Sequence, residues 1–185
     1  PGTVGRPLSF ATVRIYDEAG NVLPAGAIGE IYIGLSDWPD FTYHGKPDRR
    51  REIDRDGLIT NGEIGYLDED GYLFLCDRKT DMVISGGVNI YPAEIEACLL
   101  AMPGVKDCAV FGVPDDEFGE SLCAHVEPEP AAAVTPDAVQ AYLRAHLAGY
   151  KVPRTVVLDP ALPREDSGKI FKRRLRAPYW EGSER

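Results

Sequence analysis

Apolar and polar positions alternate over 10–16, which puts Thr12, Arg14 and Tyr16 on one face of a strand and Ala11, Val13 and Ile15 on the other. Residues 17–21 follow as a turn, and 30–35 reads as a second strand. The stretch 36–57 is polar, with Arg49, Arg50 and Arg51 inside it, and is expected to be a surface excursion. Over 66–75 two apolar arms flank Asp68-Glu69-Asp70-Gly71, the pattern of a hairpin. The character changes after Cys76. Residues 77–81 are charged and lack an apolar anchor, and beyond them strands and helices alternate. A short strand is expected over 82–84. A helix over 92–102 opens on Pro92 with Glu94 and Glu96 in its first turns and sets Ile95, Cys98, Leu99 and Met102 on one face. Strands over 105–113 and 121–126 flank the acidic turn 114–120. Thr135 caps a second helix whose inner face carries Val139, Tyr142, Leu143 and His146, and 155–158 is a last strand.

These elements predict an α+β chain: a small β-rich subdomain over 1–76, then a compact α+β domain over 77–185 with the order β-α-β-β-α-β and two helices against a short sheet. Composition narrows the function classes. Of 185 residues 44% are apolar and 27% charged, so the chain should fold, and no apolar run approaches the roughly 20 residues that span a bilayer. The net charge of −10 argues against nucleic acid or an anionic membrane as a partner. That charge is uneven: 163–176 carries a local +4, from Arg164, Lys169, Lys172, Arg173, Arg174 and Arg176 against Glu165 and Asp166, and the other 171 residues carry −14. Cys76, Cys98, Cys108 and Cys123 sit in apolar settings and read as reduced core residues of a cytoplasmic protein, and no spacing of Cys with His44, His125 or His146 suggests a metal cage. The chain begins at Pro1 without an initiating Met, which suggests a fragment of something longer.

Three clusters carry candidate chemistry. Thr60-Asn61-Gly62-Glu63 is a turn before a strand, where a carboxylate on a glycine turn can accept two hydrogen bonds from a vicinal diol; alone it is better read as a solvated turn. Asp77-Arg78 lies at the change of composition, with Ser85-Gly86-Gly87 eight residues on; alone these read as a hydrated linker and a glycine turn. The third is Pro163 to Lys169, a lysine beside a glycine followed by a basic stretch, which alone reads as a basic tail.

Taken in this order and at these intervals, the clusters resemble the C-terminal part of the adenylate-forming superfamily: the acyl-CoA synthetases, peptide-synthetase adenylation domains and firefly luciferase. The resemblance covers almost the whole chain. It runs from Gly2-Thr3-Val4-Gly5-Arg6-Pro7 through Gly29-Glu30-Ile31 and Gly65 to Tyr72. It continues through Asp77-Arg78-Lys79-Thr80-Asp81-Met82-Val83-Ile84-Ser85-Gly86-Gly87, Asn89 to Glu96, Val113-Pro114-Asp115 and Tyr150-Lys151-Val152-Pro153, and ends on Pro163 to Lys169. The segment from Asp77 to Glu96 looks like an acyl- or aryl-CoA synthetase, which implies fatty or aromatic acid metabolism. The fold implied is the C-terminal region of an acetyl-CoA synthetase-like fold, with 77–185 as a mobile lid.

The resemblance implies a two-step reaction. A carboxylic acid attacks the α-phosphate of ATP to give an acyl adenylate, and the thiol of coenzyme A then displaces AMP while the lid rotates between steps. It implies Lys169 as the catalytic lysine of the first step, because a compact ammonium on a flexible stem stabilises charge gathering on the phosphate. Glu63 corresponds to the acid that holds the ribose hydroxyls of AMP, assisted by Arg78. Asp77 corresponds to the hinge, and Ser85, Gly86 and Gly87 to the loop that lines the pantetheine path of coenzyme A. Mg2+ is implied as well, with its ligands upstream of Pro1, together with the phosphate loop and the acyl pocket, so that this chain alone is expected to be inactive. Two positions depart from the family: Asn61-Gly62-Glu63 stands for Thr-Gly-Asp, and Thr80 stands for a second lysine. The alternatives are a non-catalytic interaction module of the same fold and an amino-acid adenylation domain serving a carrier protein.

Overall fold

A computed structural model describes residues 2–36 and 38–182. Pro1, Asp37 and 183–185 lie outside the described residues; they include both outer ends of the expected spans 1–76 and 77–185 and one position of the excursion 36–57. The chain divides into two compact units, Pro1–Thr80 and Asp81–Arg185.

The first unit holds β1 (Thr3–Gly5), β2 (Ala11–Tyr16), β3 (Gly29–Leu35), a short helix α1 (Pro47–Glu52), β4 (Asp54–Arg55), β5 (Leu58–Ile59), β6 (Glu63–Leu67) and β7 (Leu73–Arg78). They form one sheet in the order β1-β7-β6-β3-β5-β4, with β2 also paired to β3. The two expected strands and the hairpin are present. Alternation along β2 works as the sequence suggests: Ile15 packs with Ile31 and Leu73 on one face, and Tyr16 with Tyr32 and Leu58 on the other. The Tyr16 and Tyr32 rings meet edge to face at 5.0 Å, and the Tyr16 hydroxyl donates to Asp56 Oδ2 at 2.9 Å. In the hairpin turn, Asp68 Oδ1 accepts from the amides of Asp70 and Tyr72. The stretch expected to be a surface excursion is partly regular. Arg50 folds back onto Asp40 and Asp54 (3.0 and 2.5 Å) and stabilises α1, and the buried Ile53 and Leu58 tie β4 and β5 to the sheet.

The second unit holds β8 (Val83–Ser85), β9 (Val88–Ile90), α2 (Pro92–Leu100), β10 (Val105–Asp115), β11 (Gly119–Pro128), α3 (Pro136–His146), β12 (Thr155–Leu158) and α4 (Lys172–Arg176), which runs into a 3₁₀ turn Ala177–Trp180. The sheet order is β10-β11-β8-β9, with β12 also paired, in parallel, to β11. Thr135 caps α3 by accepting the Ala138 amide at 3.2 Å. The helices cover one face, where Ile95, Leu99, Val139 and Leu143 meet Val110, Leu122, Ala124 and Val126. His146 is corrected: it is exposed, not inward, stacked on Tyr142 with Nδ1 on that residue's carbonyl, because the packed stripe of α3 runs through Val139 and Leu143 to Leu147 and leaves 146 to one side. Tyr142 is half-buried. The second face of the sheet, which the sequence left bare, is covered by Leu175 and Tyr179 over Phe111, Val113 and Cys123. All four cysteines are free; Cys108 and Cys123 are buried and Cys76 and Cys98 half-buried. Among the described residues no helix is long and apolar enough to cross a membrane.

Candidate active site

Glu63 begins a strand, not a turn. It stands directly opposite Arg78 across the β6–β7 hairpin, and its Oε1 lies 3.4 Å from Arg78 Nε. Two residues fifteen apart in sequence thus form one surface pair, half-exposed and able to accept and donate together. Below it, Thr60, 8% exposed, donates from Oγ1 to Glu30 Oε1 at 3.0 Å and accepts the Gly62 amide at 2.9 Å. Lys79 closes the frame: its amide donates to the Gly62 carbonyl at 2.7 Å and its ammonium to Glu30 Oε2 at 2.8 Å. Glu30, noted in the sequence only as part of a strand and of the motif Gly29-Glu30-Ile31, is the acid on which the turn 60–62 is built. An acid followed by alternating apolar residues and matched by a later Thr was the only signal for it. A shallow cavity of about 550 Å³ beside this frame is lined by Glu30, Thr60, Asn61, Gly62, Lys79 and Thr80 among others.

Asp77 and Arg78 are the end of β7 rather than a hydrated linker. Asp77 pairs with Ile64 just beyond a bulge in the hairpin, and its Oδ1 accepts the Arg78 amide at 2.8 Å. The charged run lacks an apolar anchor of its own because the ladder to β6 holds it.

Ser85, Gly86 and Gly87 come together in a two-residue hairpin between β8 and β9, with Ser85 opposite Val88. Gly86 and Gly87 have φ of +57° and +80°, which is what such a tight turn demands. The Gly86 amide donates to the Phe118 carbonyl at 2.9 Å, and a Cβ on Gly86 would come within 2.9 Å of the Phe118 ring. Ser85, Gly86 and Phe118 line a cavity of about 460 Å³ together with Gln140, Arg144 and Tyr150. Gln140 and Arg144 were not singled out in the sequence, since they sit on α3, more than fifty residues from the glycines, and Tyr150 was noted only within the motif Tyr150 to Pro153.

Lys169 is exposed on the arm that leaves an ordered turn. Arg164 and Ile170 pair across its base, the Glu165 amide donates to the Lys169 carbonyl at 2.8 Å, and the Gly168 amide donates to the Glu165 carbonyl at 2.8 Å. Gly168, at φ +83°, makes the turn possible and leaves space where a side chain would stand. Among the described residues the Lys169 ammonium has no ion pair or side-chain hydrogen bond. A second polar group lies on the sheet face beneath α4: His125 Nδ1 pairs with Asp159 and Nε2 with the Tyr179 hydroxyl at 3.0 Å. Burial and the neighbouring Cys123 thiol push Tyr179 up to about 12, and burial also raises Cys123.

Residues 94–169 match the family of the AMP-binding enzyme C-terminal domain, and the match ends on Lys169. The chain belongs to the C-terminal part of the adenylate-forming superfamily. It is 43% identical over 180 residues to a feruloyl-CoA synthase of Amycolatopsis, a match covering 96% of the chain and 36% of that protein. It is 38% identical to a long-chain-fatty-acid–CoA ligase, FadD13, of Mycobacterium tuberculosis, covering 96% of the chain and 35% of the relative. Among solved structures, ATP-bound MatB from Rhodopseudomonas palustris superposes with a TM-score of 0.90 at 37% identity, over 100% of this chain and 37% of that one. The chain therefore spans about a third of the length of the curated relatives it matches. The α+β fold, with its likeness to the C-terminal region of acetyl-CoA synthetase-like ligases, is the one that the residue pattern and motifs led us to expect.

Proposed function

We propose that this chain is the C-terminal region of an ATP-dependent acyl-CoA ligase, which joins a carboxylic acid to AMP with release of pyrophosphate and passes the acyl group to the thiol of coenzyme A. The observation that carries this reading is Lys169, exposed and, among the described residues, without an ion-pair partner, beside a fixed glycine turn and within the match to the AMP-binding enzyme C-terminal domain. An ammonium free of a protein carboxylate is available to a phosphate. In this reading it neutralises charge on the α-phosphate and the attacking carboxylate in the first step. Glu63 accepts the two ribose hydroxyls, and Arg78, opposite it, shares the oxygen cluster; the longer Glu arm still suits a diol. Asp77 serves as hinge, next to last on β7 and three residues before the first unit ends at Thr80. Ser85, Gly86 and Gly87 leave a slim passage for the pantetheine arm, and the adjoining cavity with Arg144 suits an anionic acceptor.

Among the described residues no group of three or more His, Cys, Asp or Glu side chains could hold a metal ion, so these residues do not by themselves make a Mg2+ site. Two relatives are named for ferulate and for long-chain fatty acids, which supports a fatty or aromatic acid as the substrate class. We place the protein in the cytoplasm, in keeping with its four free thiols. The chain alone is not expected to form adenylates. The test is Lys169→Ala in the complete protein. ATP–pyrophosphate exchange should fall on the order of a thousandfold, with thioester formation from a supplied acyl adenylate largely spared. Equal loss of both half-reactions would remove Lys169 from this role.

A further inference from the structure

The turn that carries Lys169 is tied to the sheet by one side chain, Arg164. Its Nη1 donates to the Gly168 carbonyl at 3.1 Å, and its Nη2 donates to Asp107 Oδ2 at 2.6 Å and lies 3.7 Å from Glu127 Oε2. Asp107 and Glu127 are direct cross-strand partners on β10 and β11, on the face opposite the helices. Two carboxylates placed so repel each other and need a shared counter-ion. Glu127 is 3% exposed, and its remaining contacts are equally specific: Oε2 accepts the Leu162 amide at 3.0 Å and Oε1 pairs with Lys106. The Leu162 amide and the cations Lys106 and Arg164 hold its carboxyl below the usual Glu range. Thus a buried anion fixes the start of the segment 162–170 through a backbone amide, and the same anion, with Asp107, fixes the guanidinium that grips the peptide just before Lys169. A planar guanidinium bridges two separated acceptors in a way an ammonium cannot.

We infer that Arg164, seated on Asp107 and Glu127, is a positioning residue that aims Lys169 by holding the Gly168 peptide, and so sets the rate of adenylate formation without touching the substrate. The inference rests on the role proposed for Lys169. The peptide plane between Gly168 and Lys169 sets the direction in which the lysine stem leaves the turn. Because Gly168 has no side chain to restrict it, that plane is free to swing unless its carbonyl is held. The lysine needs a long flexible stem to reach a phosphate, so a fixed base beneath it is what limits its wandering.

The test uses the complete protein with Arg164→Ala, Arg164→Lys and Asp107→Asn, with Lys169→Ala in the same assays. Misplacement of a catalytic group by about an ångström costs up to about a hundredfold. Arg164→Ala should therefore lower the turnover of ATP–pyrophosphate exchange about ten- to a hundredfold, with the KM for ATP within about twofold and thioester formation from supplied adenylate unchanged. Arg164→Lys keeps the charge but not the two-armed bridge and should recover little. Asp107→Asn, which preserves shape, should show the same selective loss at about threefold, and it decides the matter if the Arg164 variants fail to fold. Amide hydrogen exchange should quicken at 164–170 and nowhere else. Normal exchange turnover in these variants, or equal loss of both half-reactions, overturns the positioning role. If Lys169→Ala itself leaves adenylation intact, the assignment of Lys169 falls and this role falls with it; an inactive Lys169→Ala beside normal Arg164 variants overturns only the clamp.

Discussion

The two sheets of this chain are built on different plans. In the first unit the apolar positions form two small clusters, around Ile15, Ile31 and Leu73 and around Tyr16, Tyr32 and Leu58, and much of the remaining surface is wet. In the second, β10 is buried without interruption from Cys108 to Val113 and β11 from Ser121 to Glu127, because helices cover one face and the 175–180 segment the other. The candidate residues follow the same division. Glu63 and Arg78 are mounted on a strand pair of the thinner sheet, whereas Lys169 and the glycine hairpin sit on turns projecting from the thicker one. A densely packed body can present chemistry on turns because the body supplies the rigidity that the turns lack.

The sharpest way to break this comparison is at the junction. Asp77→Pro should cost one half-reaction about a hundredfold while leaving the other within a fewfold, since proline fixes φ where the first unit ends; normal rates in both would move the hinge elsewhere. Next comes packing. Leu143→Ala should destabilise the second unit by about 3–4 kcal/mol and Ile15→Ala the first by about 2 kcal/mol, because the smaller cluster has less to lose; denaturant unfolding that shows equal costs would erase the distinction between the sheets. Gly86→Ala should cost about 1–2 kcal/mol, from a left-handed backbone and the nearby Phe118 ring, read as a lowered unfolding midpoint. The finest effect is acid sensitivity. The folded Glu127 has a depressed pKa, so it adds stability above its ordinary value of 4.5 and loses that contribution as the pH falls through the lower folded value. The stability gap between the wild type and Glu127→Gln should therefore shrink on acidification, and a constant gap would mean the carboxylate charge is not what counts.

Regular elements with a clear period were legible in the sequence: β2, β3, the β6–β7 hairpin, both main helices and β12 fall within a few residues of their expected places. What escaped was short or held from outside. The strands β1, β4, β5 and β9 have two or three residues, too few for any period to register. His146 satisfied the helical spacing, yet Leu147 rather than His146 continues the packed stripe beyond Leu143. The candidate site was legible as motifs, and the turns that carry it fitted those motifs. The Glu63–Arg78 contact, the Glu30–Thr60–Lys79 frame and the Arg164 bridge were not legible, because each joins residues whose separation is set by strand register rather than by the chain.

The indole nitrogen of Trp180 donates to the Gly112 carbonyl at 3.0 Å, on the strand that Tyr179 also covers. The segment that closes the second face of the sheet is therefore more than sixty residues later in the chain than the strand it closes. During synthesis, Phe111, Val113 and Cys123 would stand open until that segment emerged, and a cut before Leu175 would leave them so. An apolar patch bearing a thiol would then meet other chains or an oxidant. The integrity of the sheet would then depend on those few closing residues.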